Sequence, residues 1–137
     1  LLESFIEGRE LTVGIIGNDI PEALPVVEII PGEEYEFFDY EAKYKAGATR
    51  EICPAEINEA LARKAQELGR RAHTALFCKG YSRTDMIARA DEVFVLETNT
   101  IPGMVPTSLL PLAARAAGMS FSGLLDRLIF LSLEKRG

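Results

Sequence analysis

SRTDMIARADEVFVLETNTIPGM, residues 82–104, is the stretch that decides the fold. Ser82–Ala88 has strand length, four polar residues followed by three apolar ones. Ala90-Asp91-Glu92 reads as a turn, and Val93–Thr98 as a second, largely apolar strand. Two strand-length segments about a short turn predict an antiparallel hairpin. Successive strand residues point to opposite faces, so Glu97 and Asn99 share one face at the hairpin's end, just before the turn residues Pro102-Gly103. By the same rule Arg83 and Asp85 share a face of the first strand. If the two faces coincide, three oxygen donors and one guanidinium converge.

That combination has a chemistry. Asp85, Glu97 and the side-chain carbonyl of Asn99 are hard oxygen donors, suited to Mg²⁺ bridging nucleotide phosphates. Arg83 offers a planar fork to a phosphate or a developing oxyanion. Any one of the four, taken alone, is an incidental polar group on a solvated hairpin. All four in register beside a Pro-Gly turn point to an ATP-dependent ligase.

Outward from the hairpin, Leu11–Ile16 reads as a strand ended by Gly17-Asn18-Asp19, and Val26–Ile30 as its neighbour, closed by Pro31-Gly32. Phe37–Tyr44 lacks a clean period and Lys45–Pro54 is polar, so the whole stretch reads as one long loop of the kind that serves as a lid. Ile57, Leu61, Ala65, Leu68, Ala72 and Leu76 form a helical stripe. Ser108–Ala117 reads as a helix stopped by Gly118. A last helix follows Ser120 and carries Leu124, Leu125, Leu128 and Ile129. The fold class is α+β, a largely antiparallel sheet with flanking helices.

Other candidates are weaker on sequence alone. Ser108 and the free N–H groups of the turn it opens suit a substrate carboxylate, although a plain helix cap explains it as well. Glu3 and Glu10 flank Gly8-Arg9 and read either as surface acids or as acceptors for a nucleotide's edge. Lys43 and Tyr44 close the loop Phe38–Tyr44, where a lysine can cover a reacting phosphate. His73 has no acid or cysteine partner in sequence and reads as a helix-face residue. No glycine-rich phosphate loop of the Walker or dinucleotide type is present.

The bulk properties set bounds. The 137 residues suffice for one domain with a core, at 47% hydrophobic and 26% charged. A formal net charge of −6 with no basic stripe argues against nucleic-acid binding. No apolar run has the length of a membrane span. Cys53 and Cys78 are too few and too far apart for a disulfide framework or zinc site, which fits a reducing, cytoplasmic setting. The chain opens on Leu1-Leu2-Glu3, without an initiator methionine or a signal peptide, and reads as the C-terminal part of a longer protein.

Five motifs in order resemble one family: Glu7-Gly8-Arg9-Glu10-Leu11-Thr12-Val13, Asp39-Tyr40-Glu41-Ala42-Lys43-Tyr44, Gly80-Tyr81-Ser82-Arg83-Thr84-Asp85, Glu97-Thr98-Asn99-Thr100 with Pro102-Gly103-Met104, and Ser108-Leu109-Leu110-Pro111. They are similar to the C-terminal, ATP-grasp portion of D-alanine–D-alanine ligases over essentially the whole chain. The resemblance implies that ATP phosphorylates the carboxylate of one D-alanine and that the amine of a second attacks the acyl phosphate. It implies two Mg²⁺ ions (or Mn²⁺) on Asp85, Glu97 and Asn99, with Arg83 and the Gly103 N–H stabilising the tetrahedral intermediate. Asp85, Gly103, Ser108 and Leu109 would surround the second D-alanine. Glu3 with Phe5 and Ile6 would meet the adenine, and Glu10 the ribose. Lys43 and Tyr44 would belong to the lid, with Lys43 also contacting ATP.

The resemblance further implies a homodimeric, three-domain parent. Its substrate domain and most of its central ATP-binding domain lie outside these 137 residues, leaving the piece alone catalytically dead or nearly so. Phe38 and Val105 stand where the family often has an aromatic hydroxyl and a threonine. Three alternatives stand beside this reading: a D-alanine–D-lactate ligase, another ATP-grasp carboxylate–amine ligase, and a non-catalytic nucleotide-binding module. The lid sequence Glu41-Ala42-Lys43-Tyr44 resembles the dipeptide-forming type.

Overall fold

The structure, a computed structural model, describes residues 1–32 and 49–134. The lid expectation, with Phe38, Lys43 and Tyr44, lies outside the described residues. Among the described residues six strands form one antiparallel sheet: β1 (Arg9–Ile16), β2 (Glu22–Ala23), β3 (Val27–Pro31), β4 (Thr49–Ile52), β5 (Tyr81–Arg89) and β6 (Glu92–Asn99). The order across the sheet is β4-β3-β1-β5-β6, with β2 paired to the end of β1. Among the described residues three helices follow from the expected patterns: α1 (Glu59–Ala75), α2 (Leu109–Ala116) and α3 (Phe121–Leu133). The α+β antiparallel expectation holds. β4 corrects the long-loop reading, because Thr49–Ile52 pairs with β3 despite its polar composition. All four of its residues stay at least partly exposed, so no apolar alternation marks it in sequence.

β1 is central because Leu11–Ile16 is apolar on both faces, apart from Thr12 and Gly14, and every one of these six residues is buried. Leu11, Val13 and Ile15 face α1, where Leu61 and Ala65 complete a core with Met86 and Ala88. Asn58 caps α1, its Oδ1 accepting from the Leu61 N–H at 2.8 Å. The buried positions of α1 are Leu61, Ala65, Gly69 and His73. The stripe therefore closes on His73, while Leu76 is 57% exposed at the helix end.

His73 lies on the face of α1 that is turned into the core. It is fully buried, with Nδ1 2.7 Å from the Ser82 hydroxyl and Nε2 3.0 Å from the Gly17 carbonyl. A carbonyl can only accept, so Nε2 carries the proton and Ser82 donates to Nδ1. Burial, assisted by the charge of Lys79, holds the imidazole's pKa below its ordinary value. The histidine thus ties the last turn of α1 to β5 and to the turn after β1.

On the opposite face Ile16, Leu24 and Val27 meet Leu110, Ala113, Ala114 and Leu124 of α2 and α3. Gly14 makes this seat possible. A Cβ built there would lie 2.5 Å from Leu110 Cδ1 and 3.1 Å from Leu24 Cδ1. At the edge of the molecule Arg9 holds Glu28 through two bonds, Nε to Oε2 at 2.7 Å and Nη2 to Oε1 at 2.6 Å.

Candidate active site

The register of the hairpin brings the expected residues together. Asp85 lies opposite Glu97, and Arg83 opposite Asn99; residues opposed across an antiparallel pair share a face. The hairpin turns tightly at Ala90-Asp91, with Ala90 in the left-handed region at φ 54°. Between these pairs and the turn the register shifts, since Met86 opposes Val95 and Leu96 is left as the extra residue. This bulge resolves a conflict in the sequence. Strict alternation would put Val93, Val95, Glu97 and Asn99 on one face; the extra residue sends Val93 to the α1 side and keeps Glu97 and Asn99 on the other.

β1 adds two residues to the same face. Thr12 is opposite Asp85 and Glu10 opposite Ile87. Arg83 grips Asp85 with Nε to Oδ1 at 3.1 Å and Nη2 to Oδ2 at 3.2 Å, and the two side chains are 19% and 21% exposed. Partial burial raises the pKa of the Glu10 carboxyl above the usual carboxylate range, and the charge of Asp85 pushes the same way. Around Asp85 the face therefore sets three carboxylates, Glu10, Asp85 and Glu97, beside the guanidinium of Arg83, while Arg89, further along it, pairs with Glu92.

Such an excess of negative charge favours a cation. No three His, Cys, Asp or Glu side chains converge as a metal cluster among the described residues. A metal held here would have two carboxylates and the Asn99 amide oxygen available from the protein. Oxygen donors of this kind suit Mg²⁺ rather than Zn²⁺, so the donor set fits the ion. Asn99 has a second duty: its Oδ1 already accepts from the Ile101 N–H at 2.9 Å, which fixes the side chain and leaves one lone pair. Arg83 is engaged by Asp85 through Nε and Nη2, which leaves the two N–H groups of Nη1 and one of Nη2 to offer a ligand.

Beside this face lies a cavity of about 640 Å³, lined by Glu3–Ile6 and by hairpin residues including Ile87, Phe94 and Leu96. Ile87 opposes both Glu10 and Phe94. The cavity therefore begins where the row of polar groups ends, and brings Glu3, Phe5 and Ile6 to it as expected. Its size and largely apolar lining suit a flat heterocycle. Ile87 and Phe94 were not singled out in sequence, because nothing distinguishes a wall of a cavity from an ordinary core residue.

At the other end, Gly103 and Ser108 are brought together, a Cβ on Gly103 falling 2.9 Å from Ser108 Oγ. Ser108 occupies the cap position of α2, but its hydroxyl makes no capping bond to the helix. It accepts instead from the Val105 N–H at 3.2 Å. The anion-site expectation is corrected to this extent: the hydroxyl faces the loop, and the first-turn N–H groups of Leu109 and Leu110 are the donors left over. Pro111 follows them and has no N–H to add.

Residues 1–130 match the family model described as the D-ala D-ala ligase C-terminus. The chain belongs to this family. Among curated relatives, the D-alanine–D-alanine ligase of Syntrophobacter fumaroxidans is 63% identical over 134 residues, which are 98% of this chain and 43% of that protein. The ligase of Desulfotalea psychrophila is 58% identical, over 98% of this chain and 42% of its own length. The chain thus spans well under half of the curated ligases it matches. Among solved structures, the Bacillus anthracis D-alanine–D-alanine ligase in complex with ATP superposes with a TM-score of 0.77 at 32% identity, covering 96% of this chain and 40% of that one. The VanG D-Ala:D-Ser ligase of Enterococcus faecalis gives 0.80 at 35% identity, over 94% and 37% of the two chains. In this ligase domain the family resemblance and the geometry meet on the same face: Glu10, Arg83, Asp85, Glu97 and Asn99 stand together, with Gly103 and Ser108 following in sequence.

Proposed function

We propose that the full-length protein is a D-alanine–D-alanine ligase making peptidoglycan precursors, and that this chain is its C-terminal part. It holds Mg²⁺–ATP and the second D-alanine. The observation that carries the reading is the register itself, which sets Asp85 against Glu97 and Arg83 against Asn99 beside the cavity at Glu3–Ile6. The relatives named for this reaction support it, at up to 63% identity.

The roles follow from the residues. Glu3 and the backbone at Phe5-Ile6 receive the adenine, and Glu10 accepts from the ribose. Asp85, Glu97 and Asn99 would hold two Mg²⁺ ions, and these would supply charge neutralisation to the phosphates when bound. Arg83 and the Gly103 N–H stabilise the oxyanion formed when the amine attacks the acyl phosphate. The N–H groups opening α2, at Leu109 with Ser108 beside it, orient the acceptor's carboxylate and so aim its amine. Lys43 and Tyr44 close over the reacting phosphate. Two free thiols, Cys53 and Cys78, fit a reducing compartment, and we place the enzyme in the cytoplasm as a homodimer.

The test is release of ADP and phosphate by the full-length protein with D-alanine, D-serine or D-lactate as acceptor. Turnover should require D-alanine, and Glu97→Gln should lower it by about 100-fold or more, because loss of a metal-ligand charge removes several kcal/mol of transition-state stabilisation. ATP turnover indifferent to D-alanine, or to Glu97→Gln, refutes the assignment.

A further inference from the structure

Thr12 is the one hydroxyl in the run LTVGII at the centre of the sheet. It is 1% exposed, which for a polar side chain demands a partner. Two acceptors stand near its Oγ1: Asp85 Oδ1 at 2.7 Å and the Thr84 carbonyl at 3.3 Å. A hydroxyl has one proton to give, and the shorter bond to a carboxylate is the stronger. The proton therefore goes to Asp85. Asp85 Oδ1 then receives two donors, Thr12 and Arg83 Nε, while Oδ2 receives only Arg83 Nη2.

These donors differ in kind. Arg83 sits on the same strand as Asp85 and carries a long side chain with rotatable bonds along its stem. Thr12 comes from the neighbouring strand, is buried, and has a branched side chain restricted to few rotamers. Its Cα is paired with that of Asp85 by the sheet. Of the two, the threonine is the donor whose position the sheet fixes.

We infer that Thr12 is a positioning residue for Asp85, its hydroxyl fixing Oδ1 so that Oδ2 is the oxygen presented to a divalent cation. The inference rests on the ligase reading for the cation's role. It does not depend on which acceptor the enzyme uses. Outer partners of metal ligands typically govern metal affinity by about 10–100-fold, and this bond is of that kind.

The test uses the full-length protein with Mn²⁺ as the probe, titrated in the presence of a non-hydrolysable ATP analogue and followed by water-proton relaxation. Thr12→Ser and Thr12→Ala both lose the methyl group, and only Ala loses the hydroxyl. Thr12→Val keeps the shape and loses the hydroxyl alone. Ser should bind Mn²⁺ near the wild-type affinity, and Ala and Val about 10–100-fold more weakly. Where one apolar variant does not fold, the other is compared with its own reference, Ala with Ser or Val with wild type. Equal affinities within a pair overturn the inference. Asp85→Asn runs alongside: if it also binds Mn²⁺ as wild type does, the metal assignment fails and the Thr12 inference falls with it. Loss of binding in Asp85→Asn but not in Ala or Val refutes the positioning role alone.

Discussion

Gly14 is the point at which packing and activity are most tightly joined, and Gly14→Ala is the change that exposes the link. The added Cβ would meet Leu110 Cδ1 at 2.5 Å, whereas carbon–carbon contacts settle at about 3.5–4.0 Å. Leu110 is itself 1% exposed and wedged in the core, so it has little room to swing aside. The helix must lift by roughly 1–1.5 Å to restore contact distances. Overpacking of this kind costs about 1–3 kcal/mol, and restricting the unfolded chain returns about 0.4–1, so about 1–2 kcal/mol of net loss is expected. In the full-length protein that is a fall in Tm of about 2–8 °C. The second consequence is functional, because α2 begins at the Ser108–Leu109 turn. A displacement near 1 Å can cost up to about 100-fold, so kcat/KM for the acceptor D-alanine should fall about 10–100-fold while the KM for ATP holds. Gly69 supplies the control on the other face. Its Cβ would lie 3.2 Å from Ile15 Cδ1 and Val13 Cγ1, a deficit of a few tenths of an ångström. Replacing glycine by alanine inside a helix gains about 1 kcal/mol, so Gly69→Ala should be close to neutral in both Tm and kinetics. Calorimetry and initial rates on the two variants decide the matter. A Gly14→Ala protein as stable as wild type with unchanged acceptor kinetics refutes the reasoning, as do equal losses at both glycines.

Two further outcomes are expected. His73 is held below its ordinary pKa by burial, so between the folded and unfolded values the unfolded chain binds more protons and stability rises with pH. Its contribution is fully present above the unfolded value near 6.5 and is lost as pH falls through the folded one. Glu10, raised in the folded state, acts in the opposite sense and relieves a cost as pH falls. Thermal melts from pH 8 to pH 5 should therefore show a falling Tm whose slope flattens in His73→Gln; an unchanged slope would remove His73 as the cause. Arg9→Ala leaves the carboxylate of Glu28, 7% exposed, without its two charged donors. With Arg9 itself 46% exposed, the loss should be about 1.5–3 kcal/mol, below the figure for a fully buried pair, and urea unfolding showing less than about 0.5 kcal/mol would place the pair among ordinary surface bridges.

What sequence could and could not convey follows from the same geometry. The hairpin was legible because strand length and turn chemistry are local, and its site face because Arg83/Asp85 and Glu97/Asn99 each stand two residues apart on one strand. Their coincidence across strands was not legible, since it depends on register, and the register carries a bulge at Leu96 that no local pattern announces. β4 was missed because Thr49–Ile52 pairs through its backbone at a polar edge. The partners of His73 were not legible because Ser82 and Gly17 are 9 and 56 residues away. The roles proposed for Glu3, Phe5 and Ile6 came from family resemblance; the fold then placed them at a cavity whose other wall, Ile87 and Phe94, is apolar and unmarked in sequence.

The strand β1 shows why such a site survives on so small a sheet. Its odd positions, Leu11, Val13 and Ile15, are committed to α1 and supply the core. Its even positions form a graded row along the opposite face. Glu10 pairs with Ile87 at the cavity end, Thr12 bonds Asp85 at the proposed cation, Gly14 makes room for α2, and Ile16 joins the core beneath that helix. Neighbours in this row are two residues apart on a buried, doubly paired strand, so the spacing between nucleotide end and acceptor end is set by the backbone at about 3.4 Å per residue. A one-residue slip of β1 would exchange the two sets and bury Glu10 and Thr12 against α1. The hydrophobic pattern that forbids this slip is therefore also what keeps the site's parts in order, and stability and catalytic geometry are enforced by the same six residues.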